Sequence, residues 1–178
     1  MKSIQSCTAE AVAKLGGLDL LVNNAGAYET RNFEEISAEQ WDQMFDVNVR
    51  AAFFMSQACA KELRARRGRV VNVGSLGGIR PWATHAHYCA SKAALHTLTQ
   101  VAAKALAPEI KVNCVAPGMI DQGESARGSE VLEHFAAKTP VQRNGSAMDV
   151  AQSVLFFATC PDFITGQILA VDGGLGLA

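Results

Sequence analysis

The chain has 178 residues, 49% hydrophobic and 19% charged, enough to bury one substantial core and too few for two comfortable ones. Sixteen basic against seventeen acidic side chains leave a net charge of -1, which argues against a nucleic-acid surface, an anionic-membrane patch and an acidic disordered chain. No apolar run approaches the ~18 residues of a membrane span, and no apolar signal segment follows Lys2, so a cytoplasmic protein without nucleic-acid or membrane partners is expected.

In chain order, the sequence opens inside a helix and reaches a short apolar run at Leu18–Val22, closed by Asn23-Asn24-Ala25-Gly26. Ser37 and Gln40 form a capping-box pattern, so a long helix is predicted from about Ala38 to Arg66. Its basic end (Arg64, Arg66, Arg67) reads as a complement to the helix C-terminus in preference to a phosphate patch, and Gly68 stops it. The run Val70–Val73 leads into the turn Gly74-Ser75-Leu76-Gly77-Gly78. A second helix is predicted from about His85 to Ala107, ending before Pro108. The run Ile110–Val115 closes on Pro117-Gly118-Met119-Ile120. A flexible loop over Gln122–Glu130 and a short helix over Val131–Lys138 follow. Ser146 and Asp149 make another capping box, opening a helix to about Ala158, and Ile168–Val171 is the last apolar run. Apolar runs alternating with helices imply an α/β fold, with a parallel sheet covered by helices on both faces.

Five cysteines, none within three residues of another, fit neither a disulfide framework nor a structural zinc site. His85 and His87 lack further ligands nearby and read as an ordinary surface or helix-start pair, so no metal is expected.

The chemistry gathers around Tyr88 and Lys92. Residues four apart on a helix share a face, so phenol and ammonium project into the same space. A neighbouring cation favours phenolate, and a phenol so tuned exchanges a proton with an alcohol or carbonyl oxygen near neutral pH. Alone, this spacing also describes an amphipathic surface pair. Ser75 adds weight: it follows the end of a strand, where open parallel sheets place their ligands. Alone, it too reads as a turn serine satisfying local backbone. Two further strand ends, at Asn24–Gly26 and Pro117–Gly118, carry small or polar residues that let a flat ligand approach the backbone.

These motifs together resemble the classical short-chain dehydrogenases/reductases, nearest in general look to 3-oxoacyl-carrier-protein reductases. Asn23–Gly26 is similar to the family's N-N-A-G, and Asn48 to its helix asparagine. Ser75 with Tyr88 and Lys92 is similar to its serine and Y-x-x-x-K, and Asn113–Gly118 to its N-x-x-x-P-G. Thr165-Gly166 and Asp172-Gly173-Gly174 match its C-terminal T-G and D-G-G. The resemblance implies a Rossmann-like doubly wound parallel sheet and a cofactor, NADP or NAD. It implies reversible reduction of a small-molecule ketone to a secondary alcohol. Tyr88 would exchange the proton, Lys92 would lower its pKa and hold the nicotinamide ribose, and Ser75 would bind the substrate oxygen. Asn48, at a local break in the long helix, would hold a water linking Lys92 to solvent. Asn24, Ala25 and Gly26 would lie along the adenosine side, and Pro117, Gly118 and Ile120 against the nicotinamide. The resemblance also implies a homodimer or homotetramer through the two long helices.

The chain departs from the family in having no G-x-x-x-G-x-G turn for the pyrophosphate. The expectation is a single partial domain over residues 1–178, its C-terminal catalytic part, lacking the first three strands and that turn, roughly 65 residues at usual element lengths. The choice between NAD and NADP would lie in that segment, and Leu18–Val22 would be an exposed apolar sheet edge. Gln122 stands where a family threonine touches the nicotinamide carboxamide, and Trp82 and His85 lie where substrate could be sensed. A pteridine or sugar reductase is the alternative within the family. A cofactor-incompetent remnant that acts only as an oligomer partner is the alternative outside enzymes.

Overall fold

A computed structural model describes residues 2–123 and 128–178. Helix α1 (Lys2–Leu15) leads to β1 (Leu20–Asn23), and α2 (Ala38–Phe45) runs through a π-helical turn (Asp46–Arg50) into α3 (Ala51–Ala65). Strand β2 (Arg69–Val73), a 3-10 turn (Leu76–Gly78) and α4 (Ala86–Leu106) follow, then β3 (Lys111–Pro117) and β4 (Ile120–Asp121). The chain ends with α5 (Ser129–Lys138), β5 (Gly145–Ser146), α6 (Ala147–Thr159) and β6 (Ile168–Val171). The main sheet is parallel in the order β1-β2-β3-β6, and β4 pairs with β5 beside it.

Strand side chains alternate between faces, and two cores follow from that period of two. Val70 and Val112 join Leu18, Cys59, Leu63 and Ala103 under α3 and α4. Val71 and Val115 join Phe157 and Cys160 under α6. Both predicted capping boxes form: Ser37 with Gln40 starts α2, and Ser146 with Asp149 starts α6. Each satisfies two N-H groups that a helix start would otherwise leave unpaired.

The long helix expected over 38–66 is broken by a π turn at Asp46–Arg50 with Asn48 at its centre, the local break that the family resemblance implied. Strand β1 is the exposed sheet edge that was expected, and β6 is a second edge that was not; Leu20, Val22 and Leu169 stay more than a third exposed because, among the described residues, no strand pairs beyond them. The short helix begins at Ser129 rather than Val131, and part of the predicted flexible loop, residues 124–127, lies outside the described residues. His85 and His87 stand at the start of α4, one of the two places expected for them, and are buried there. In the basic run at the end of α3, Arg66 donates to Gly16 O and Asp19, and Arg64 faces Glu109. Among the described residues, no helix is long and apolar enough to cross a membrane.

Candidate functional site

The carboxyl ends of three parallel strands open on one side of the sheet. The segment after β1 carries Asn24 and Gly26, that after β2 carries Gly74 and Ser75, and that after β3 carries Gly118 and Ile120. Helix α4 starts beside the second, and α6 closes the far wall. Between them lies a cavity of about 740 Å³ lined by Asn24, Gly26, Tyr28, Ser75, Tyr88, Lys92, Pro117, Gly118, Ile120 and Gln122 over an apolar floor that includes Val73 and Val154. That size suits a small-molecule or cofactor site.

Tyr88 and Lys92 share the inner face of α4, with Lys92 Nζ 5.9 Å from the centre of the Tyr88 ring. Lys92 is 5% exposed, and Nζ donates to Val73 O at 2.9 Å. Loss of water pushes its pKa down to about 8, so the ammonium form still predominates at neutral pH. An ammonium has three protons, and Val73 takes one, which leaves donors for an occupant of the cavity. Ser75 has extended backbone, and its Oγ accepts from Gly77 N-H at 3.0 Å. That contact fills one acceptor position and leaves the hydroxyl proton to donate. The Tyr88 ring lies close over Gly77, where an added Cβ would sit 3.3 Å from Cε1, so phenol and serine turn are neighbours.

Asn48 is 1% exposed and does not line the cavity. Its Oδ1 accepts from Ala27 N-H at 2.8 Å, while Nδ2 donates to Ala27 O and to Ser91 Oγ. The side chain therefore braces the loop after β1 against α4. Gly26 marks where the two polar groups converge: a Cβ there would stand 3.3 Å from both Asn48 Oδ1 and Lys92 Nζ. At Gly118 a Cβ would meet Asp172 Cβ at 2.7 Å, so glycine lets the chain after β3 run against the turn after β6. Asn113 Nδ2 donates to Ile164 O and its Oδ1 accepts from Gln167 N-H, which ties β3 to the segment entering β6.

Of the sequence candidates, Asn24, Gly26, Ser75, Tyr88, Lys92, Pro117, Gly118 and Ile120 meet at this cavity, as does Gln122. Ala25 and Asn48 do not line it, and neither do Trp82 and His85. His85 stands behind Tyr28, its Nε2 2.6 Å from the Tyr28 hydroxyl. Tyr28 reaches the cavity and packs edge-on against Tyr88 at 5.0 Å. Sequence reasoning missed Tyr28, which lies beyond the N-N-A-G turn in a loop whose path only packing decides. It also missed His96, buried below Lys92, although the spacing Tyr88, Lys92, His96 puts all three on one helix face.

A nicotinamide cofactor is compatible with this cavity. Lys92 offers donors at depth, and Gly26 leaves room beside its Nζ where a side chain would intrude. Among the described residues, no group of three or more His, Cys, Asp or Glu is placed to hold a metal ion.

Comparison with known proteins places these features among relatives. A family model described as enoyl-(acyl carrier protein) reductase matches residues 1–176. Sorbitol dehydrogenase of Cereibacter sphaeroides is 37% identical over 97% of this chain and 73% of its own length. The 3-oxoacyl-[acyl-carrier-protein] reductase FabG of Thermotoga maritima is 35% identical over 97% of this chain and 72% of its own. A solved structure of ElxO with NADP bound superposes with a TM-score of 0.90 at 29% identity, covering 99% of this chain and 75% of that one.

Proposed function

The chain belongs to the short-chain dehydrogenase/reductase family of NAD(P)-dependent oxidoreductases, and from that premise we propose that it interconverts a ketone and a secondary alcohol, with a 3-oxoacyl thioester as the substrate class. When bound, the nicotinamide cofactor supplies or accepts the hydride. Tyr88 gives its phenolic proton to the substrate oxygen, or takes it back in the reverse direction. Lys92 stabilises the phenolate beside it and binds the ribose hydroxyls. Ser75 donates its hydroxyl proton to the same substrate oxygen as negative charge develops there. Asn48 holds the loop that carries Asn24 and Gly26, and a water held beside it would link Lys92 to solvent, the route by which the proton given up by Tyr88 is restored. Asn24 and Gly26 would hold the adenosine side, with Pro117, Gly118, Ile120 and Gln122 against the nicotinamide ring.

The observation that carries this reading is that Ser75, Tyr88 and Lys92 line one cavity at the carboxyl ends of the strands. The matched 3-oxoacyl-carrier-protein reductase supports the thioester class. The matched sorbitol dehydrogenase favours the second reading, a sugar or polyol. The NADP-bound neighbour supports the phosphorylated cofactor over NAD. We also propose pairing of two copies through α3 and α4, on whose surfaces Phe53 and Val101 stay exposed.

The test begins with a fluorescence titration of the purified chain with NADPH and NADH. Saturable binding is expected, and an intact fold that binds neither would overturn the reading. Acetoacetyl thioester and sorbitol, assayed side by side, separate the two substrate classes. Tyr88→Phe should lower turnover by about a hundredfold or more with cofactor affinity nearly unchanged.

A further inference from the structure

His96 is a buried titratable group that the proposed chemistry leaves unused. It lies one helical turn beyond Lys92 on α4 and is 8% exposed. Its ring is wedged between the two glycines that flank the Ser75 turn. A methyl group on Gly74 would overlap the ring, and one on Gly78 would sit 2.7 Å from Cε1. The Ser75 N-H donates to His96 Nε2 at 3.4 Å. The serine is thus held twice: Gly77 N-H fixes its hydroxyl oxygen, and the imidazole takes its main-chain N-H.

We propose that His96 is a positioning residue, whose Nε2, accepting from the Ser75 N-H between Gly74 and Gly78, locks the serine turn to the helix that carries Tyr88 and Lys92. The proposal rests on the reductase reading for its effect on turnover, while the lock itself is a property of the free protein. One helix face then places three groups: the phenol, the ammonium and, through His96, the serine hydroxyl. Separate elements carry Ser75 and Tyr88, and a substrate oxygen must meet both, so their relative placement needs such a tie.

The acceptor role requires a neutral ring with its proton on Nδ1. Burial and the nearby Lys92 ammonium push the His96 pKa down to about 4, although a backbone hydrogen bond with Gly78 acts in the opposite sense. The ring is therefore neutral throughout the range where a reductase would be assayed.

Nitrogen-15 NMR of the wild-type chain at pH 7 tests the lock without any variant. An unprotonated Nε2 and a Ser75 amide slow to exchange with solvent are expected; an Nε2-H tautomer would overturn the proposal. His96→Gln places an amide oxygen near the Nε2 position, whereas His96→Leu fills the space without an acceptor. The leucine variant should lose about tenfold in Ser75 amide protection and about tenfold in kcat with little change in KM or NADPH affinity, and glutamine should restore most of both. A leucine variant with wild-type protection and kcat, or a glutamine variant as impaired as leucine, would sink it. Failure of the reductase reading looks different: Tyr88→Phe would then turn over like wild type, while the exchange data still decide the role of His96.

Discussion

Replacing Lys92 with methionine should stabilise the fold while removing its chemistry. The ammonium is almost fully buried, and loss of water lowers its pKa from 10.5 to about 8. That difference corresponds to about 3 kcal/mol between the charged and neutral forms. Methionine fills similar space without a charge but forfeits the 2.9 Å hydrogen bond to Val73 O. Leaving that carbonyl unpaired costs about 1–2 kcal/mol. The net expectation at pH 7 is a variant more stable by about 1–2 kcal/mol, or about 2–8 °C in Tm for a chain of this size. Because the folded pKa lies below the unfolded one, the unfolded chain binds the extra proton between about pH 8 and 10.5. Wild-type stability due to this group therefore rises with pH across that window. The advantage of the variant should be constant below pH 8, vanish inside this window and become a deficit of about 1–2 kcal/mol towards pH 10.5, where only the lost hydrogen bond to Val73 O remains. Urea unfolding of both proteins in parallel gives the difference, in which the titration of other groups cancels. A variant less stable than wild type at pH 7, or a difference independent of pH, would refute the description of Lys92 as a desolvated ammonium.

Other consequences are open to measurement. Thr99→Val removes the acceptor of Asn72 Nδ2 (2.9 Å) at a fully buried position, so thermal unfolding should show a loss of about 1–3 kcal/mol. Ser146→Ala removes the cap that accepts from Asp149 N-H and should cost about 1 kcal/mol, read by chemical denaturation. Leu20→Lys puts a charge on the exposed edge strand β1, and light scattering should show less self-association with an unchanged circular dichroism spectrum. Association that persists unchanged would locate the contact elsewhere.

Local signals predicted the elements well where one physical cause acted alone. The two capping boxes could be read because a serine and a residue three positions on satisfy each other's backbone without outside help. The break in the long helix came only from the family resemblance, since nothing in the periodicity of 38–66 marks it. In the folded chain the π turn coincides with Asn48 reaching across to Ala27 and Ser91. The strand edges were only half legible. Exposure of β1 was expected from the departure from the family pattern, but that of β6 was not, because an apolar run does not say how many neighbours will cover it.

The sequence by itself determined the alternation of strand and helix and the shared helix face of Tyr88 and Lys92. It also put small or polar residues at three strand ends. These follow from side-chain period, turn chemistry and spacing, which are properties of neighbouring residues. Only the tertiary structure decided that the three strand ends open on one cavity and that Tyr28 enters it. It also turned Asn48 into a brace and put His96 beneath the serine turn. Each of these depends on contacts between residues more than twenty positions apart, such as Ser75 with His96 and Ala27 with Asn48. Their partners are chosen by packing the sheet against α4, a choice that no local pattern encodes.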